Sequence, residues 1–493
     1  MPCNESASST DPGTDPMQPA APLDTTLVVN LVLCGLGAGI LSLPWTLAGA
    51  GILNGLCWTL LVLGICYFTI MLLVKAGEKE QCFSLEELLE RAAPGDSNAK
   101  RLWGRSCTAA IWVTYFFSLV GYLIIIADSL IPTLDSLGAL DVLSFGENKA
   151  RIMVLLLSAA CICPLCFLNQ QQLAFTSFLG TFSNCFLVFA LLLNYEVLES
   201  ERSHAAPLGT EAGVASAGTG SAPDVCVLST PFTPGNLAFV SSLLMAIVIQ
   251  PCILPMYEEM NTDRSQCSRK PQRSPRNFAR ALGVAFAFLY VLFCMFAVAG
   301  YLSFGASANG DVLKNLPSDR WYTVVSRLSM SGVCLGVYPL MLYPMVAPLA
   351  ESRRTMGVMG INLAALVTSF NVSNLGVINV LNGAVSVFFF VGLFPAVIAL
   401  QVLNGMAAAP GDGTGPADSA RSGTLQILTE ALISRDSALA SPTRKPSLST
   451  YSFWYSPMPM VCLVLLSFVV MVLGLSNTTN DAQNLGRHCL WRD

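Results

Sequence analysis

Long apolar runs dominate this chain, separated by short polar connectors. Within the runs there is neither the alternation of a half-buried strand nor the one-sided stripe of a soluble helix. A bilayer core takes about 20 apolar residues per helical crossing. Runs of that length recur at 25–48, 53–75, 107–130, 151–168, 173–194, 236–257, 279–303, 324–349, 357–374, 378–402 and 457–476. The pattern predicts an all-α membrane protein with eleven transmembrane helices, its partner being the lipid bilayer.

Composition narrows the functional classes. Of 493 residues, 53% are hydrophobic and 12% charged, against about 25% charged in ordinary soluble domains. The basic residues are spread over short connectors, so nucleic-acid binding is not expected. The only two histidines, His204 and His488, lie in polar segments. Cys34, Cys57, Cys66, Cys161, Cys163 and Cys294 lie inside apolar runs and read as small packed or lipid-facing side chains. No cysteine spacing suits zinc, and no run carries a catalytic constellation of His, Asp or Cys. An enzyme is therefore not expected, nor a resident metal or cofactor.

Charge asymmetry predicts the orientation. With the N-terminus in the cytosol, the inner connectors hold 18 of the 26 basic residues, the outer segments hold seven, and Arg327 lies within a span. Eleven spans then leave the C-terminus outside. Two glycosylation patterns, Asn371-Val372-Ser373 and Asn477-Thr478-Thr479, fall on the outer side. Residues 1–24 read as a disordered cytosolic tail without a signal peptide. The core is 25–402, with candidate inverted repeats at 25–194 and 236–402. A flexible cytosolic loop follows at 403–456, then the last span at 457–476 and an outer tail at 477–493. Ser84 to Arg91 fit a short amphipathic helix or a solvated connector.

Two runs carry signals that break a helix. The first contains Gly35, Gly37, Gly39 and Pro44; the sixth contains Gln250, Pro251 and Pro255. A broken helix in lipid leaves backbone groups unsatisfied unless the break lines a polar site. Breaks at positions 1 and 6 match if spans 1–5 and 6–10 are inverted repeats, as in secondary transporters. Freed amides at Gly37, Ala38 and Gly39 would face a carboxylate. Freed carbonyls around Val248, Ile249 and Gln250 would accept from an ammonium. An anion binder opposite a cation acceptor suits a zwitterion. The alternative is that the glycines serve helix packing and the prolines make simple kinks.

Asn30-Leu31 with Gly37-Ala38-Gly39-Ile40-Leu41-Ser42-Leu43-Pro44, and Gln250-Pro251 through Pro255-Met256-Tyr257-Glu258-Glu259, resemble the first- and sixth-helix signatures of the amino acid/auxin permease family. The likeness is to its sodium-coupled neutral amino acid transporter branch. Gly121-Tyr122, Pro164-Leu165 with Thr176-Ser177, Gly300-Tyr301-Leu302-Ser303-Phe304-Gly305, Arg327-Leu328 with Pro339 and Pro344, and Asn382-Gly383-Ala384 follow in the family's order. The resemblance covers about residues 25–402. It implies a LeuT-like (APC) fold, a 5+5 inverted repeat with helices 1 and 6 broken plus one extra C-terminal helix. It also implies amino acid transport driven by sodium or protons, with Gly37, Ala38 and Gly39 on substrate and Gln250 and Cys252 on the opposite wall.

The chain departs from that pattern in places. Many members have histidine where Gln250 stands. Leu335 and Val337 occupy the places of the branch's threonines in helix eight, leaving Ser329 and Ser331 as the nearest hydroxyls. Asn30, Ser329, Ser331 and Glu258 are the candidate ion-coupling residues. The expectation is a monomeric carrier of neutral amino acids in the plasma membrane or a vacuolar or lysosomal membrane. The alternative is an amino acid sensor built on a transporter-like fold, with 403–456 as its output surface.

Overall fold

The computed structural model describes residues 25–36, 38–136, 138, 147–167, 170–205, 225–231, 233–260, 274–346, 349–403, 457–477 and 489–492. The expected tail at 1–24 and nearly all of the loop at 403–456 lie outside the described residues. Helices form where the apolar runs predict them. In order they are α1 (Thr25–Gly35), α2 (Leu43–Ala50), α3 (Ile52–Glu80), α4 (Leu85–Ala92), α5 (Ser97–Ser136), α6 (Glu147–Leu165) and α7 (Gln170–Ala205). Then come α8 (Pro234–Ile247), α9 (Gln250–Glu259), α10 (Pro275–Phe304), α11 (Trp321–Val346), α12 (Glu351–Asn371) and α13 (Leu375–Ser386). A π-helical stretch carries α13 into α14 (Phe394–Ile398), and α15 (Pro457–Asn477) is the last helix.

Among the described residues nine helical stretches, with α8–α9 and α13–α14 each taken as one, are long and apolar enough to cross a bilayer, and the bent pair α1–α2 makes ten. The sequence reading expected eleven. The difference falls on α12, whose 21 residues include Glu351, Arg353 and Arg354 in the first turn. Helix α4 is the predicted amphipathic segment: Leu85, Leu88 and Leu89 are buried, and Arg91 pairs with Glu87 one turn back.

Strands β1 (Cys226–Ser229) and β2 (Cys489–Arg492) pair antiparallel, and a disulfide joins Cys226 to Cys489 across 263 residues. The sequence reading had not singled out this pair. β1 packs against the α2–α3 corner, where Gly51 takes φ +80° and a Cβ would lie 3.2 Å from the Ser229 nitrogen. This marks one end of the bundle, the disulfide end; α4 lies toward the other.

Lipid is as apolar as leucine, so burial gives little drive for helices to associate, and close approach of backbones matters more. At the disulfide end α2 and α8 come close enough that a Cβ on Gly235 would lie 2.2 Å from the Gly49 carbonyl oxygen. Ser229 Oγ donates to the Ala50 carbonyl at 2.5 Å, and the Asn54 amide donates to Ser229 O at 2.8 Å. Trp58 Nε1 donates to Asn236 Oδ1 at 2.9 Å. These bonds fasten α2, α3, α8 and β1 into one block.

Candidate functional site at the helix breaks

Both predicted breaks form. Helix α1 stops at Gly35, a 3-10 segment runs over Ala38–Ser42, and α2 leaves at 51° to α1. The second break falls at Val248 and Ile249, with ψ of 86° and −6°, between α8 and α9. Pro251 occupies the first turn of α9, where a missing N–H costs nothing, and Pro255 is accommodated inside the helix. The second break therefore precedes both prolines.

Side chains take up part of the freed backbone. Asn184 Nδ2 on α7 donates to the Leu36 carbonyl at 3.4 Å, and Ser42 Oγ lies 3.0 Å from the Gly39 carbonyl. Ser42 Oγ also shares a hydrogen bond with Ser242 Oγ of α8 at 2.7 Å and accepts from Asn379 Nδ2 of α13 at 2.9 Å. All three residues are buried. A step along α13, Asn382 Nδ2 donates to the Thr114 carbonyl on α5 at 3.0 Å, and Thr114 Oγ1 pairs with Ser386 Oγ at 3.0 Å. The Asn382 Oδ1 and Ser241 Oγ atoms beside them have no hydrogen-bond partner. A buried amide or hydroxyl left in that condition costs about 1–3 kcal/mol. The core at the breaks thus holds hydroxyls and amides, two with spare capacity, and no fixed charge.

On the other side of the breaks the packing opens. Cys34 on α1 approaches Met256 on α9 with sulfur atoms 3.9 Å apart. Cys252 Sγ lies 3.9 Å from Tyr115 Oη of α5. Cys34 neighbours both Cys252 and Tyr115 deep in the bundle, yet it is exposed. Cys34 is thus accessible where α1, α5 and α9 come together.

The predicted residues distribute unevenly around this centre. Gly37 lies outside the described residues; Ala38 begins the 3-10 segment. Gly39 packs on α8, where a Cβ would lie 2.8 Å from the Ala246 nitrogen, so close helix approach already requires a glycine there. Gln250 is fully buried at the start of α9 beside the Cys66 thiol of α3, with neither amide atom in a hydrogen bond of normal geometry. The Ile249 carbonyl accepts from Cys252 N at 3.0 Å. Cys252 is half-buried beside Tyr115. Among the candidate ion-coupling residues, Asn30 and Glu258 are exposed. Ser329 Oγ donates to Ser183 Oγ at 2.6 Å, and Ser331 Oγ to the Arg327 carbonyl at 2.8 Å. Among the described residues no hydrogen bond or ion pair joins any two of these four.

Residues 25–406 match the family model described as transmembrane amino acid transporter protein. The chain belongs to that family. Its sequence is 25% identical over 411 residues to amino acid transporter AVT6E of Arabidopsis thaliana, covering 76% of this chain and 75% of that protein. It is 24% identical over 332 residues to sodium-coupled neutral amino acid symporter 2 of Danio rerio, covering 64% of this chain and 61% of the fish protein, less than two thirds of its length. Among solved structures, MhsT in complex with L-phenylalanine aligns at a TM-score of 0.51 and 12% identity over 92% of this chain and 98% of that one. The likeness shows a LeuT-like fold.

In this member of the family, the side chains that build the centre are mostly outside the candidate residues of the sequence. Ser242, Asn379, Thr114 and Ser118 were not among the candidates, and Ser42 and Asn382 entered only within motifs. A signal was present. Thr114 and Ser118 are one helical turn apart, as are Asn379 and Asn382, so each pair shares one face of an otherwise apolar span. Polar groups on one face of a membrane helix mark an interior site or pathway.

Proposed function

We propose that this protein is a secondary active transporter of neutral amino acids, working by alternating access with sodium or proton coupling. On this reading it has eleven spans, α12 included, arranged as a 5+5 inverted repeat with one added helix. The observation that carries the reading is the pair of interrupted spans meeting at a buried polar centre that is tightly packed toward one end and accessible at Cys34 toward the other. The backbone dipoles outside regular helix at Ala38–Gly39 and at Val248 suit the two charges of a zwitterion. Hydroxyls and amides around them, without a charged side chain, favour neutral substrates over cationic or anionic ones.

We assign the disulfide end to the outer or luminal side and the N-terminus to the cytosol. Disulfides persist in oxidising compartments, and the basic residues concentrate on the opposite connectors. The membrane itself is the plasma membrane or that of a vacuole or lysosome.

A counterflow assay in proteoliposomes, run over the common amino acids with and without sodium and at two pH values, tests the proposal. Accelerated exchange of small neutral amino acids is expected, with dependence on one of the two ions. Binding without flux would leave a sensor instead, and flux that does not saturate would point to a channel.

A further inference from the structure

The connector between α10 and α11 folds back into the bundle as a lid over the disulfide end of the site. It carries two 3-10 turns, Gly305–Ser307 and Val312–Lys314. Val312 and Leu313 are fully buried. Gly310 packs on the start of α13, where a Cβ would lie 2.4 Å from Asn374 Oδ1 and 2.7 Å from the Gly376 nitrogen. The Val312–Lys314 turn reaches the Ala38–Ser42 segment that follows the first break.

Under this lid sits a set of charges used by no part of the proposed substrate site. Asp311 is 1% exposed; its Oδ1 accepts from Leu313 N at 3.0 Å, and its Oδ2 has no hydrogen-bond partner. Asp128 of α5 is close enough to act on it electrostatically. Arg151 of α6 and Lys314 of the lid hold Asp128, at 2.9 and 3.0 Å. Arg327 of α11, 1% exposed, lies near Asp311 but donates to the Leu313 and Leu316 carbonyls and to Ser318 Oγ. The Cys334 thiol of α11 is the remaining titratable neighbour. The lid also contacts α13 through Asn374 and Gly376, neither of which carries a charge. Asp311 is therefore a buried carboxylate beside a second carboxylate, with the nearby cations hydrogen-bonded to other groups.

We propose that Asp311 is the proton-binding group of the lid, and that its protonation sets how firmly the lid closes over the disulfide end of the site. The inference rests on the alternating-access reading for its meaning in transport, though not for its test. Burial, and then the Asp128 carboxylate, push Asp311 up from 3.8 to about 7. A carboxylate raised in the packed state favours packing when neutral. The cost of packing is absent below the ordinary carboxylate range, grows as pH rises, and is complete above about 7. The lid is tight in acid and loosens through neutrality. In a membrane facing an acidic lumen, the protonated lid would hold that side shut.

Hydrogen exchange of the segment 308–316, measured on the full chain between about pH 5 and about pH 8 and corrected for intrinsic rates, tests this. Protection in the natural protein should fall about tenfold or more as pH rises, the fall ending near the value above. Asp311→Asn should hold the acid level of protection throughout. Asp128→Asn removes the repelling charge and frees two cations, so the pH at which the fall ends should move lower. Lys314→Met should move it to higher pH. An unchanged profile in Asp311→Asn overturns the proposal. If that variant does not fold, shifts of the two neighbouring variants in the same direction overturn it equally. Because no transport is measured, failure here is distinct from failure of the carrier reading.

Discussion

The two broken spans are built differently on the two sides of their breaks. Toward the disulfide end, α2 and α8 meet through glycine backbones and are tied by Ser42, Ser242 and Asn379 at the breaks and by Ser229, Asn54 and Asn236 at the rim. Toward the other end, α1 and α9 touch through Cys34 and Met256 and otherwise lean on different neighbours, α1 on α10 and α9 on α3. In lipid, small residues and interhelical hydrogen bonds hold helices together, while large apolar side chains give no preference for a helix over a lipid tail. The closed pair is thus specified by directional contacts, and the open pair by contacts that lipid or water can replace. On the proposed cycle, α1 and α9 are the elements with the least to lose on moving.

The comparison is broken most severely at the Gly235–Gly49 contact. Gly235→Val would drive a branched side chain into a backbone carbonyl that cannot move aside. A destabilisation of about 4 kcal/mol or more is expected, read as loss of folded protein in thermal melts of the purified chain and loss of uptake. A normal melt would mean that the two helices do not approach so closely. Next in size is the staple at the rim. Cys226→Ser with Cys489→Ser should cost about 2–4 kcal/mol, seen as a lower melting temperature that reductant reproduces in the natural protein but not in the variant. A reductant-insensitive natural protein would show that the bond does not form.

How much of this contrast the sequence displays follows from which contacts are local. A bilayer fixes span length, so the helices and the first break at Gly35 to Gly39 are legible from composition alone. The acidic and basic residues that open α12 make that span the least apolar. The second break falls at Val248 and Ile249, among the residues expected to free their carbonyls, and Pro251 suits the first turn of the helix that follows. The centre itself was not legible. Ser42 meets Ser242 across 200 residues and Asn379 across 337, and nothing in either neighbourhood names the partner. The disulfide was hidden for the same reason. The resemblance places Gly39 on substrate, and the structure packs it against the Ala246 backbone.

A finer test weakens the closed pair without removing it. Asn379→Ala deletes the amide that donates to Ser42 Oγ, while the Ser42–Ser242 bond and the Gly39 contact remain. One hydrogen bond is worth about 1 kcal/mol, roughly a fivefold shift between states. If the two ends open in alternation, loosening the disulfide end should cover Cys34 at the other. Alkylation of Cys34 should then slow about fivefold, with Cys34→Ser identifying the labelled thiol. Faster labelling would mean that the ends loosen together, and that the contrast is one of overall packing.

The smallest effect is expected where the open side carries the candidate ion-coupling residues. Asn30→Ala and Glu258→Gln each alter an exposed side chain on α1 or α9. Neither should change the melting behaviour by more than about 0.5 kcal/mol. Because the fold does not depend on them, any change in the half-saturating sodium concentration or in pH dependence of uptake reports the ion alone. Ser331→Ala is the necessary companion, since its hydroxyl is committed to the Arg327 carbonyl within α11. A sodium response altered by Asn30→Ala and Ser331→Ala together, with stability unchanged in the former, would place an ion between the mobile α1 and the fixed α11. A response that neither variant alters would remove both from the coupling step and leave the proton as the driving ion to be tested.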